Sequence, residues 1–384
     1  MNLRLMNPGM RTSLLLVALL ASLAGCGKKD DGTAVIKIGS VAPLTGAQTH
    51  IGKDNENGAR LALDEINAAG LTLGGKPVRL ELIAEDDGAE PKTATIVAQK
   101  LIDSGVVGVI GHLNSGTSIP ASKLYNDAGI PQISPSATAV KYTAQGYKTA
   151  FRVMANDAQQ GAALGQFAVK TLKAKKIALI DDRSAYGQGL ADEVEKAVKS
   201  AGGQVIDRQY TTDKATDFAA ILTAIKGKGA DLIVFAGMDP QAGPMAKQMK
   251  SLGLKAQLLG ADGFQNGNFI KLAGVDAEGA IASSPGLPLD KMPGGPAFKQ
   301  RFNAKYGEIQ VYAPYAYDAM QVFVAAMKRA DSAAPAKILA ELPKTDHTGV
   351  TGQIRFDTKG DTVGGAVTLY QVKGGAWVPL ETIQ

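Results

Sequence analysis

From Ala34 onward, short apolar runs alternate with longer stretches whose apolar residues recur every three or four positions. The runs AVIKIGSVAP, KPVRLELIAEDD, GVVGVIGHL and IPQISPSAT read as strands. Between them, residues 52–69 place Ala59, Ala62, Leu63 and Ile66 at helical spacing, and residues 91–104 do the same with Ala94, Val97, Ala98 and Leu101. Pro91 suits the first turn of that helix. A third helix is predicted over Ser115–Asp127, with Gly129 just past its end, where a left-handed terminator is expected. Near Phe151 the pattern restarts. Helices over 158–173, 187–201, 217–228 and 240–252 alternate with the strands KKIALIDD, GQVIDRQY, DLIVFAG and QLLGAD. Strands and amphipathic helices in strict alternation imply α/β lobes, with parallel sheets covered on both faces. Two such runs imply two lobes. Helices over 295–306 and 313–330, and the strands TGQIRFD and AVTLYQV, complete the chain. The Pro-rich SSPGLPLDKMPGGP reads as surface loop.

The first residues follow another pattern. Arg4 and Arg11 precede the apolar run 14–20, and Leu23-Ala24-Gly25-Cys26 follows. A basic start, a short apolar run and small residues describe a secretory signal, too short for a comfortable span. The ending resembles a bacterial lipobox, which predicts a signal over 1–25, acylation of Cys26 and a polar tether over 26–33. The expected location is the bacterial cell envelope, periplasmic or extracytoplasmic, with membrane contact through the lipid anchor only. Cys26 is the only cysteine. The remainder therefore has no internal disulfide and depends on packed cores.

Charge changes the picture little. Residues 1–25 hold two arginines and no acid, so their removal takes the net charge from +5 to +3. No basic run interleaved with aromatics points to nucleic acid. The roughly 350 residues beyond the signal are enough for two lobes.

In open α/β sheets, ligands bind beyond the carboxyl ends of the strands. The early loops there carry Thr45-Gly46, Asn114-Ser115-Gly116-Thr117 and Ser134-Pro135-Ser136-Ala137-Thr138, mostly hydroxyls and glycines. The later ones carry Asp181-Asp182-Arg183-Ser184-Ala185-Tyr186, Gly237-Met238-Asp239 and Gly260-Ala261-Asp262-Gly263. That asymmetry suits a zwitterion, whose carboxylate needs several donors and whose ammonium needs a charged acceptor. Ser115 at a helix start reads equally as a cap or as an anion seat.

The segments GVIGHLNSGTSIPAS, PQISPSATA, DDRSAYGQGLADEV and LLGADGF together resemble the extracytoplasmic solute-binding proteins for leucine, isoleucine and valine of ABC transporters. The resemblance runs in register from about Ile36 to Gln371. It implies two Rossmann-like lobes joined by a three-crossing hinge near Val153, Ser284 and Asp357, with an amino acid in the cleft. The implied lobes are 34–153 plus 285–357, and 154–284 plus 358–384. By the same resemblance, Ser115 and Thr138 fall at carboxylate-binding hydroxyls. Ser136 falls where a carbonyl accepts from the ammonium, Tyr186 at a cleft tyrosine, and Asp262 where the family carries a glutamate for the ammonium. Asp262 is one methylene shorter. Ile51 and Met238 stand at pocket-wall positions often aromatic in the family, and Ala89 and Asn114 at the positions of a cysteine pair. The implied partners are a small amino acid and ABC permease subunits, and the chain is expected to be a monomer. A receptor-coupled amino-acid or amide sensor is the alternative.

Chemistry of other kinds finds little support. Gly111–Gly116 has P-loop spacing, but Thr117 stands where the lysine is required. His50, His112 and His347 are scattered, and no catalytic triad is legible. Asp86-Asp87 and Asp181-Asp182 resemble metal-ligand pairs but lack a third ligand at suitable spacing, and read as caps of the following helices. No enzyme activity, cofactor or metal is expected.

Overall fold

Two sheets organise the protein, each with helices on its faces. The structure is a computed structural model describing residues 33–383. The predicted signal, Cys26 and most of the tether lie outside the described residues. The first sheet contains β1 (Ala34–Ala42), β2 (Leu71–Leu73), β3 (Lys76–Asp86), β4 (Val109–Gly111), β5 (Gln132–Ser134) and β6 (Ala150–Arg152), in the order β2-β3-β1-β4-β5-β6. The second contains β7 (Ile177–Asp181), β8 (Val205–Tyr210), β9 (Leu232–Ala236), β10 (Gln257–Gly260) and β11 (Ile281–Pro285). It is completed by β14 (Val367–Lys373) and β15 (Ala376–Ile383), in the order β15-β14-β11-β10-β9-β7-β8. Strands β12 (His347–Thr348) and β13 (Gln353–Ile354) form a separate antiparallel pair.

Both sheets are mainly parallel, as the alternation predicts. The pairs β1–β4, β4–β5 and β5–β6 are parallel, as are β7–β8, β7–β9, β9–β10 and β10–β11. The additions are antiparallel: β2 on β3, and the hairpin β14–β15 on β11. β15 escaped the sequence reading because it is an edge strand, exposed along most of its length. TGQIRFD shrinks to the two-residue β13, and IPQISPSAT to the three residues of β5.

The helices that matter for the site are α1 (Thr49–Ala69), α2 (Pro91–Asp103), α3 (Ser115–Ala128), α4 (Asp157–Gln166), α5 (Ala185–Ser200), α6 (Ala219–Lys228), α7 (Asp239–Ser251), α8 (Gly267–Ala273), α9 (Gly295–Tyr306) and α10 (Ala313–Ala330). The predicted helix over 158–173 is α4 followed by a wider π-helical turn over Phe167–Thr171. Helices α1 and α10 pack together on the first sheet's side, while α4 packs against α5 on the second's. Gly58 allows the first contact, because a Cβ there would lie 2.2 Å from Ala313 O. The chain thus leaves the first lobe after β6, returns after β11 and crosses again before β14. Two crossings are pinned together. Fully buried Arg152 donates to Ala137 O, Ala139 O and Asp361, and Asp361 also accepts from Thr143 and Asn156. SSPGLPLDKMPGGP is less superficial than expected: its first three residues end β11, and Met292 is buried.

Candidate functional site

Four helix N-termini converge on one gap between the lobes. Ser115 is the first residue of α3, Tyr186 the second of α5, Met238 caps α7, and Tyr312 caps α10. All four line the gap, with Leu113, Asn114, Ser136 and Asp262. Each helix start presents free N–H groups and the positive end of a dipole. Their fields add where the fold places a buried carboxylate, Asp262, 2 % exposed. The gap measures about 20 Å³, room for one water. This is a closed arrangement, and a larger solute enters only when the walls part.

Asp262 is held from three directions. Its Oδ1 accepts from Gln160 Nε2 at 2.9 Å and Tyr186 Oη at 3.1 Å, and its Oδ2 from Tyr312 Oη at 2.8 Å. Burial pushes its pKa up, and these three donors pull against that rise. The tyrosines are also pushed up by burial and by the charge of Asp262, so both stay neutral donors. Gln160 is itself fixed by Ser283, which donates to its Oε1 at 3.0 Å. The Tyr186 hydroxyl accepts from Gly263 N–H at 3.2 Å. Only glycine permits that approach, since a Cβ at 263 would lie 2.5 Å from Gly237 O and 3.0 Å from the Tyr186 ring. Tyr312 belongs to the first lobe and Asp262 to the second, so their hydrogen bond ties the two together.

The hydroxyl side is built differently. Asn114, not Ser115, occupies the cap position of α3, and its amide donates to Gln48 at 2.8 Å. Ser115 Oγ accepts from Ala139 N–H at 3.1 Å. Ser136 Oγ donates to Leu113 O at 3.0 Å, while Ser134 and Ser118 both donate to His112 O. These hydroxyls bind the strand-end loops to one another, which fixes the backbone facing the gap.

The structure therefore brings Ser115, Ser136, Tyr186, Met238 and Asp262 together. Thr138 and Ile51 do not line the gap. Thr138 lies behind it, 1 % exposed, its hydroxyl without a hydrogen-bond partner beside the Asp157 carboxyl. Ile51 is buried in the first turn of α1. Sequence reasoning missed Tyr312, Gln160 and Asp157. Asp157 heads α4, fully buried, and both its oxygens lack a partner. The acidic pairs are not helix caps either. Asp86 accepts from Leu44, Thr45 and Gly88, whereas Glu90 precedes α2. Asp182 accepts from Ser184, the actual cap of α5. His112 is buried between Asp87 at 2.8 Å and Tyr125 at 3.1 Å, with no nucleophile on either ring nitrogen. Among the described residues, no group of three His, Cys, Asp or Glu is placed to hold a metal, and no helix is long and apolar enough to cross a membrane.

Comparison with known proteins accords with this geometry. The periplasmic binding protein family matches residues 35–376. A leucine-, isoleucine-, valine-, threonine- and alanine-binding protein of Pseudomonas aeruginosa is 33% identical over 362 residues, 94% of this chain and 95% of that one. Among solved structures, a leucine binding protein, LivK, from Thermotoga maritima aligns with a TM-score of 0.85 at 28% identity, covering 91% of this chain and 98% of the other. The branched-chain amino acid transporter substrate binding protein LivJ of Streptococcus pneumoniae, in complex with isoleucine, aligns at 0.82 and 31% identity, covering 91% and 99%. The chain belongs to the periplasmic binding protein family and is a solute-binding protein, not an enzyme.

Proposed function

We propose that this protein is the substrate-binding component of an amino-acid ABC importer and takes a branched-chain or other apolar amino acid between its lobes. The observation that carries this reading is the gap itself. One buried acid, Asp262, faces the hydroxyls and the helix start of the opposite lobe. An ammonium requires the first and a carboxylate the second. The named ligands of the relatives, leucine and isoleucine among them, are molecules of this kind. In the proposed cycle the lobes, 34–153 plus 285–357 and 154–284 plus 358–384, part about crossings near Val153, Ser284 and Asp357. The amino-acid carboxylate docks at Ser115, with Thr138 behind it, and the ammonium meets Ser136 O. Closure brings Asp262 and Tyr186 onto it, and Met238 and Ile51 belong to the wall around the side chain. The ligand favours the closed form only through contacts absent from the open one. The permease would then read the closed shape. Acylation at Cys26 would keep the protein, as a monomer, at the outer face of the membrane that carries its permease.

A thermal-shift screen against the common amino acids tests the reading. Stabilisation by leucine, isoleucine or valine, and much less by their desamino analogues at pH 8, is expected. No shift with any amino acid would refute it. Separately, Cys26→Ser should leave the protein in the soluble fraction, and membrane association of that variant would exclude the anchor.

A further inference from the structure

Asp157 stands apart among the described residues: both oxygens of its carboxyl are buried and neither has a hydrogen-bond partner. It lies one helical turn before Gln160, whose amide holds Asp262. Its backbone N–H donates to Thr138 O at 2.8 Å, which places its carboxyl beside the Thr138 hydroxyl. The charged and titratable groups that face it are Asp262, Arg152 and Glu193, with Tyr186 on its own lobe and Tyr312 across the gap. Arg152 is committed elsewhere, to Asp361, Thr143 and two carbonyls. Closure therefore buries two acids, and neither has an ion-pair partner among the described residues.

Two neighbouring carboxyls without a counter-charge cannot both stay ionised out of water. Three donors favour the charge on Asp262 against a burial that raises its pKa. Asp157 has only the Thr138 hydroxyl beside it, and burial together with the charge of Asp262 pushes it well above the usual carboxylate range despite that neighbour. A cation arriving at Asp262 relieves that repulsion.

Resting on the amino-acid reading of the gap, we propose that Asp157 makes a cationic group on the ligand a condition of closure. It is a positioning residue, acting through Thr138 and Asp262. A ligand carrying an ammonium supplies the missing charge. A ligand without one closes the lobes only if one proton passes from solvent to an Asp157 oxygen, forming its O–H bond while no other bond changes. That uptake becomes about tenfold harder for each pH unit above the open-form carboxyl range.

Calorimetry with leucine and its desamino analogue 4-methylpentanoate, at pH 6 and pH 8, tests this on the wild type and on Asp157→Asn. In the wild type, the leucine-to-analogue affinity ratio should rise about tenfold or more between the two pH values. In Asp157→Asn, which keeps the shape and removes the titration, the ratio should stay nearly flat, and the analogue should bind about tenfold or more tighter at pH 8 than in the wild type. A flat ratio in the wild type, an equally steep one in the variant, or an analogue too weak to measure with both proteins at both pH values overturns the proposal. The wild-type arm decides alone should the variant not fold. Leucine bound with an unmoved ratio removes only the role of Asp157, whereas no amino acid bound by folded wild type removes the reading of the gap and this proposal with it.

Discussion

Asp54 in the first lobe accepts four backbone N–H groups, from Gln310, Val311, Tyr312 and Ala313, at 2.7–3.0 Å. Asp318, in the same lobe, accepts from Val350 N–H and from both donors of Thr351. Across the gap, Asp157 has no partner on either oxygen, and Asp182 and Asp207 each leave one bare. The two lobes bury acids for different ends. In the first, Asp54 and Asp318 are staples, each saturated by the loop it holds. In the second, Asp157 stands beside Asp262 and Asp182 lies in the loop leading to Tyr186, while Asp207 sits on β8 and pairs with Lys228. An unpaired buried polar atom costs about 1–3 kcal/mol, more when charged. The second lobe tolerates that cost close to the site where a ligand's charge is expected.

The largest effect should come from Asp262. Asp262→Ala leaves Gln160, Tyr186 and Tyr312 pointing at nothing and removes the acceptor proposed for the ammonium. Amino-acid affinity should fall at least about a hundredfold, equivalent to roughly 3 kcal/mol, with the melting transition still cooperative. Calorimetry showing near-normal affinity would move the ammonium elsewhere, and the contrast between the lobes would lose its functional meaning.

Asp182 sharpens the contrast through stability. Burial raises its pKa to about 6 against the hydrogen bonds from Ser184. A carboxyl whose folded pKa lies above its unfolded value stabilises fully below the unfolded value, 3.8, and loses that contribution as pH rises through about 6. Asp182→Asn should therefore gain on the wild type between about pH 4 and pH 6 and hold the gain above, by up to about 3 kcal/mol. Melting temperatures measured from pH 4 to pH 8 check the sign. A variant that falls behind as pH rises would show that the ionised carboxyl is favoured in the folded chain.

Much of this was legible in the sequence, and the parts that were not have separate causes. Strand–helix alternation located the sheets, the rule that sites form beyond strand ends picked out Ser115, Tyr186 and Asp262, and the family resemblance added Ser136 and Met238. Tyr312 was missed because it sits on no strand end. It reaches Asp262 because Asp54, a polar residue on an amphipathic helix, gathers the amides of 310–313. That pairing spans 256 residues and more, and no local pattern announces it. Asp157 was hidden by convention, since an acid in the first turn of a helix is ordinarily explained by the dipole. Only its burial shows otherwise. Thr138 was placed at the ligand by its strand-end loop as well as by the resemblance, while the closed structure sets it one layer back.

Tyr312→Phe tests whether the lobes depend on each other at Asp262. The lost hydroxyl is a hydrogen bond to a carboxylate, a class worth about 1.5–3 kcal/mol. Amino-acid affinity should drop roughly tenfold, and small-angle scattering of the ligand-free protein should show a larger radius of gyration. Tighter binding instead would mean that the Tyr312 hydroxyl competes with the ligand for Asp262.

The smallest effect should come from a further pair that links the lobes. His50 Nε2 on α1 lies 3.2 Å from Asp239 Oδ1 on α7, with the histidine partly exposed. Asp239 does not depend on it. Asn266 donates to the same oxygen at 3.1 Å and Asn268 to the other at 2.5 Å, both from the second lobe itself. The imidazole also meets the carboxylate outside hydrogen-bond geometry. A charge already satisfied within its own lobe gains little from a partly solvated neighbour across the gap. His50→Gln should therefore change amino-acid affinity less than about threefold, at low salt as at high. Should calorimetry show a tenfold loss, closure would rest on the rim as much as on Asp262. Asp239 would then join the acids whose partners come from the opposite lobe, and the second lobe's acids would no longer divide cleanly into satisfied and waiting.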